Sequence, residues 1–183
     1  MNESTIIIGD GPGGLSAALY LAKAGHHVDV FGTNKTPMHV AMIHNYLGAP
    51  NITGPDFMAL SRKQTEDMGA HLYEDNITKL ALTDDGFTAF TESGGSHHSK
   101  YLIIACGNKP KLAEDLNLKL DDRNTIHTDK NGRTGLDNCY AIGWSTRPDK
   151  IQAIISAGDG AAAALDILSK IAGKDIHDFD TLD

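Results

Sequence analysis

An apolar, β-branched run, Thr5-Ile-Ile-Ile, passes through Gly9, Gly11 and Gly14 straight into Leu15-Ser-Ala-Ala-Leu-Tyr-Leu-Ala. Glycines at this spacing between a strand and a helix make a phosphate-binding turn. Gly9 permits the tight turn, Gly11 lets a pyrophosphate approach the backbone, and Gly14 lets the helix pack closely on the strand. The helix that starts at Pro12 and Gly13 turns the unbonded N–H groups of its first turn, of which Pro12 itself has none, and a positive dipole end toward the anion. A glycine-rich turn alone is also an ordinary loop. Its place between a β-branched run and an Ala/Leu-rich helix points instead to a dinucleotide carrying two phosphates.

The chain has 183 residues, enough for one self-sufficient domain that buries roughly 70% of its unfolded surface. Its 24 acidic against 16 basic residues give a formal net charge of −8, and no basic stripe is interleaved with aromatics. Nucleic acid is therefore not an expected partner. No run approaches the roughly 20 apolar residues of a membrane helix, and no apolar leader precedes the first strand, so a cytoplasmic location is expected. Cys106 and Cys139 are the only cysteines and form neither a disulfide framework nor a metal motif. His26-His27 and His97-His98 fall at turns without a carboxylate or thiol at ligand spacing, so no metal site is expected.

Residues 5–9, 13–24 and 27–31 read as strand, helix and strand, with Gly25 as the helix stop. Residues 32–55 are turn-rich, a candidate ligand lid, and 56–68 read as a helix closed by Gly69. Three short runs, 77–83, 87–91 and 96–100, are separated by Asp-Asp-Gly and Ser-Gly-Gly and suit an antiparallel meander. Tyr101-Leu-Ile-Ile-Ala-Cys-Gly reads as a strand buried on both faces, returning to a parallel sheet. Residues 108–138 are polar; 139–143 form a last strand and 151–171 a last helix, stopped by Gly173. The expected fold class is α/β: a central parallel sheet with a small antiparallel β-meander.

In this order the motifs resemble the FAD-binding domain of the thioredoxin reductase family, a Rossmann-like fold. The resemblance rests on Gly9-Asp-Gly-Pro-Gly-Gly, on Tyr101-Leu-Ile-Ile-Ala-Cys-Gly, and on Tyr140-Ala-Ile-Gly-Trp with Gln152-Ala-Ile-Ile-Ser-Ala-Gly-Asp-Gly. It implies FAD as cofactor. The last segment is similar to one in which an Ala-Gly-Asp turn contacts the ribityl chain and a Gln-Ala pair, here Gln152 and Ala153, begins a helix beside the flavin ring. Asn45-Tyr-Leu-Gly resembles the family's segment against the isoalloxazine. Ile77, Ala105, Gly107 and Gly143 are implied beside the cofactor as well. A reduced flavin gains negative charge near N1 and the C2 carbonyl, and a helix N-terminus at Gln152 stabilises it. The alanines further along that helix read as close packing.

Several departures shape the expectation. The family inserts a nicotinamide domain with its own glycine-rich turn and a Cys-x-x-Cys, and this chain has neither. The reading is one FAD-binding domain over 1–183, in which 1–107 and 118–183 form the body and 108–117 a short linker. Residues 118–129 resemble the strand pair that follows the insertion. An acidic residue expected about 20 positions after the turn is replaced by Gly32-Thr-Asn-Lys, so backbone groups, Thr33, Asn34 or Lys35 substitute. Trp144 stands where the family has an Asp on the ribityl chain. Cys106 and Cys139 read as core, and His39 and His44 as loop histidines within reach of the ring. The expected function is a single-domain FAD oxidoreductase, homodimeric, with a protein electron donor or acceptor. A non-catalytic flavin-binding redox subunit stays open beside it, and an NAD(P)-binding protein is disfavoured by the Gln152 segment.

Overall fold

A computed structural model describes residues 3–107 and 110–182. The N-terminal apolar run becomes β1 (Ser4–Ile8), four of whose five residues are buried, as a strand covered on both faces requires. Pro12 opens α1 (Pro12–Lys23), and a turn at Gly25 with φ +76° leads into β2 (His27–Gly32). The following loop is more structured than its composition suggests. It holds a 3₁₀ turn at Pro37–Val40 and a small hairpin of β3 (Met42–Ile43) and β4 (Ile52–Thr53). Next, α2 (Gly54–Asp67) begins earlier than its apolar pattern implies, because the Thr53 hydroxyl caps it by accepting from the Asp56 N–H at 3.2 Å.

Strand β5 (His71–Glu74) has no sequence signal, since His-Leu-Tyr-Glu is short and largely exposed; pairing with β2 defines it. Strands β6 (Ile77–Thr83), β7 (Gly86–Thr91) and β8 (Ser96–Ser99) form the antiparallel meander. Then come β9 (Tyr101–Ile104), buried throughout, α3 (Pro110–Asp115), β10 (Cys139–Ala141) and α4 (Ala153–Ala172).

The main sheet has the order β10-β9-β1-β2-β5, every pair parallel. Helices α1 and α4 cover one face, where Ile7, Val30 and Ile103 meet Ala17, Ala163 and Ile167. The meander covers the other, where Ile6, Ile8 and Leu102 meet Leu80 and Phe87. The two helices lie close because a Cβ on Gly160 would overlap the Gly13 carbonyl. The fold is therefore α/β with a central parallel sheet and an antiparallel meander. Among the described residues, no helix is long and apolar enough to cross a membrane.

Two expectations are corrected. The short linker at 108–117 is, in its described part, α3, whose Leu112 and Ala113 are 4% and 0% exposed in the meander-side core. A six-residue helix is too short to show a helical period. The strand pair expected in 118–129 reduces to a single antiparallel bridge between Leu120 and Ile126.

Candidate functional site

Ile8, Phe31, Ala105 and Ile142, at or just past the C-terminal ends of four neighbouring parallel strands, border a cleft of about 620 Å³. This is where open α/β sheets bind ligands. Its floor is the turn at Gly9, Gly11, Pro12 and Gly13. A Cβ on Gly9, whose φ is +115°, would overlap the Ala105 carbonyl, and one on Gly14 would overlap the carbonyl of Gly9 itself. Those two glycines are required by the protein. Gly11 differs: its φ of −78° and ψ of −178° suit any residue, and the nearest atom to an added Cβ is a Thr36 methyl at 3.9 Å. Nothing in the fold demands glycine there, so the space in front of its backbone is left open to the cleft.

Two helix N-termini converge on this cleft. Gly11 caps α1 and Gln152 caps α4, neither with a side-chain hydrogen bond, and neither helix has an acidic residue in its first turn. The N-terminal dipole ends thus have no acid within their own first turns. Asn45, from the hairpin loop, donates to the Gln152 side-chain carbonyl at 2.9 Å and ties that loop to the start of α4. Trp144 is 41% exposed; its indole lies about 3.5 Å from where a Cβ on Gly107 would stand. Thr33, Lys35, Ile77, Gly143 and Ala153 complete the candidate residues that line the cleft.

The description "Pyridine nucleotide-disulphide oxidoreductase" matches residues 49–159. The chain belongs to this family. FAD is the cofactor. The chain is 31% identical over 175 residues to a thioredoxin reductase of Streptomyces clavuligerus, covering 93% of this chain and 51% of that protein. To a thioredoxin reductase of Streptomyces coelicolor it is 30% identical over 187 residues, covering 98% and 55%. It thus spans about half the length of the curated relatives it matches. The solved atypical thioredoxin reductase from Desulfovibrio vulgaris Hildenborough shares the fold with a TM-score of 0.85 at 20% identity, covering 93% of this chain and 98% of that one. A Streptococcus pyogenes thioredoxin reductase structure gives 0.87 at 17% identity, covering 94% and 100%.

Within this member of the pyridine nucleotide-disulphide oxidoreductase family, the sequence reading missed one polar pair. Asp10, only 5% exposed, lies between the first two glycines of the turn and borders the cleft. Its Oδ2 accepts from the Asn34 backbone N–H at 2.8 Å and from Arg62, on α2, at 2.7 Å. A Cβ on Gly32 would overlap this carboxyl group. The Asp10 carboxylate therefore occupies the space that a side chain at the end of β2 would fill. An acidic residue between two turn glycines was the available signal; Arg62 had none, being 52 positions away.

Other candidates fall elsewhere. Gly14 and Asn34 do not line the cleft; Gly14 lies beneath it, and Asn34 takes a left-handed φ of 52°. The Ala157-Gly158-Asp159 stretch is no turn but lies inside α4 and off the cleft. There Asp159 accepts from the Gly143 N–H at 3.2 Å and from Arg147, so it holds the Gly143 turn in place. His39 instead closes a capping box with Thr36, and His44 bonds Asn51 at 2.9 Å; neither lines the cleft. Cys106 is not purely core, for it borders the cleft, whereas Cys139 is fully buried and burial pushes its thiol up to about 12.

Proposed function

We propose that this protein is an FAD-dependent oxidoreductase that takes electrons from an external reductant or protein partner and passes them to a separate acceptor. The open space before Gly11 carries the reading, since a glycine that the fold does not need is explained by a pyrophosphate lying against it. Two helix N-termini without a first-turn acid, and Lys35 in the same cleft, fit the charge of that group.

In this reading the Gly13 N–H at the start of α1 and the Lys35 ammonium would hold the two phosphates. Asp10 would accept from the ribose hydroxyls of the adenosine half, taking the place of the missing acid at the end of β2; its contact with Arg62 orients the carboxylate. The start of α4 at Ala153, which lines the cleft, would help hold the flavin ring, and its helix N-terminus would favour negative charge there without a charged side chain. Asn45 positions that helix end through Gln152. Trp144, partly exposed over Gly107, shields the ring side of the cleft from water. Bound FAD supplies reversible two-electron chemistry that none of these side chains provides.

The test is the visible spectrum of the purified protein, with the released chromophore identified. The expected result is about one FAD per chain. In Gly11→Val, the Cβ has room within the fold and the φ suits valine, while the side chain fills the phosphate space, so folding should persist while flavin content falls to near zero. A folded Gly11→Val protein that retains full FAD would place the phosphates elsewhere.

A further inference from the structure

At the opposite end of β2 from the cleft, three side chains far apart in sequence form a cluster that the proposed function does not use. His27 and Asp29 are two apart on one strand and share a face, and the register sets His71 of β5 directly opposite Asp29. Asp29 Oδ1 lies 3.4 Å from His27 Nε2 and 3.3 Å from His71 Nδ1, and the two imidazole rings are 5.1 Å apart. All three donor atoms lie within 4.8 Å of one another.

We propose that His27, Asp29 and His71 form a binding site for a borderline divalent cation such as zinc. Charge-assisted hydrogen bonds from nitrogen to a carboxylate are usually about 2.7–2.9 Å, so both contacts are loose as ion pairs. They match another geometry. Ligands about 2.0–2.1 Å from a tetrahedral metal are separated by about 3.3–3.4 Å along each edge. Two imidazoles and one carboxylate select zinc, copper or nickel over magnesium and calcium, which prefer all-oxygen sets. The Asp29 side chain is only 13% exposed while the two imidazoles are 47% and 56% exposed, so the carboxylate is fixed at the base and the nitrogens are reachable from solvent.

The cluster is distinct from the cleft: none of its three residues lines it, and along β2 His27 lies five residues, or about 17 Å, and Asp29 two residues, or about 7 Å, from the cleft-lining Gly32 and Phe31 respectively. Its consequence is structural. Strand β5 is the sheet edge and is poorly buried, so a metal bridging it to β2 fastens the least supported strand.

Isothermal titration of zinc chloride into the purified full chain at pH 7.5 tests this, with cobalt(II) absorption as a probe of geometry. One equivalent of zinc should bind, magnesium chloride should give no heat, and cobalt should show a tetrahedral visible band. His71→Ala and His27→Gln, made separately, should each weaken zinc binding at least about tenfold. His98→Ala, a histidine paired with Asp85 on the meander, should leave it unchanged. Zinc affinity equal to the parent in a folded His71→Ala or His27→Gln chain, or no binding by the parent, overturns the proposal. With nine histidines in the chain, equal weakening by His98→Ala would also overturn it, as scattered surface binding.

Discussion

Asp10 and Gly32 act as one unit at the residue scale. The carboxylate of one occupies the space that a side chain on the other would need, so an acid on the turn excludes an acid at the end of β2. The sequence showed the missing acid at Gly32 but not its replacement, because that depends on where two backbone segments meet. Moving the acid back tests the reading. Asp10→Ser should weaken FAD binding roughly 10- to 100-fold, in line with about 1.5–3 kcal/mol for a hydrogen bond to a charged group. Gly32→Glu alone should weaken it too, because the new side chain overlaps Asp10. The double variant should recover to near the parent. Titration of apoprotein with FAD, read by flavin fluorescence quenching, measures all three, and failure of the double variant to recover would remove Asp10 from the ribose. The thiols divide in the same way: burial that pushes Cys139 up to about 12 leaves it unreactive, while Cys106 borders the cleft, a difference their shared strand-like contexts did not reveal.

At the scale of elements, legibility follows how local the signal is. The β1–α1–β2 unit and the meander carry their own periodicity and turn chemistry and lie within a few residues of where the sequence puts them. Strand β5 is defined only by its neighbour, and α3 only by the core it fills through Leu112 and Ala113. Such elements have no pattern of their own to read. The helix pair was legible as small residues but not as a contact: Gly160 is where α4 crosses the backbone of α1. In Gly160→Ala a methyl must enter the space of the Gly13 carbonyl, so the helices separate and the phosphate turn beneath Pro12 shifts with them. Overpacking of this kind costs about 1–3 kcal/mol. Urea unfolding should show that loss together with weaker FAD retention, whereas Gly158→Ala, with open space at its Cβ, should show neither. A Gly160→Ala protein as stable as the parent would mean the helices are not in close contact.

For the whole molecule, what is joined matters as much as what is present. Strands β9 and β10 are parallel neighbours, and the chain between them is too short for the nicotinamide domain that the family resemblance places there. A body of this size holding a large cofactor is expected to self-associate. Val40 and Leu47 in the loop, 92% and 88% exposed, with Ile154 and Ile171 on α4, supply apolar surface for it. Light scattering should report a dimer at micromolar concentration, and a monomer would refute this. Electron supply follows from the same connection. With no second glycine-rich turn in the 183 residues, we expect no dedicated pocket here to orient a nicotinamide's hydride, and orientation supplies about 7–11 kcal/mol in well-positioned reactions. NADH and NADPH should therefore bleach the flavin slowly and with weak saturation, while a protein donor docking beside β9 and β10 should reduce it faster. Stopped-flow absorbance distinguishes the two. Rapid, saturable reduction by either nicotinamide at micromolar concentration would require a binding site for it, and the wall formed by Pro37, Met38 and Met42 would be the place to look.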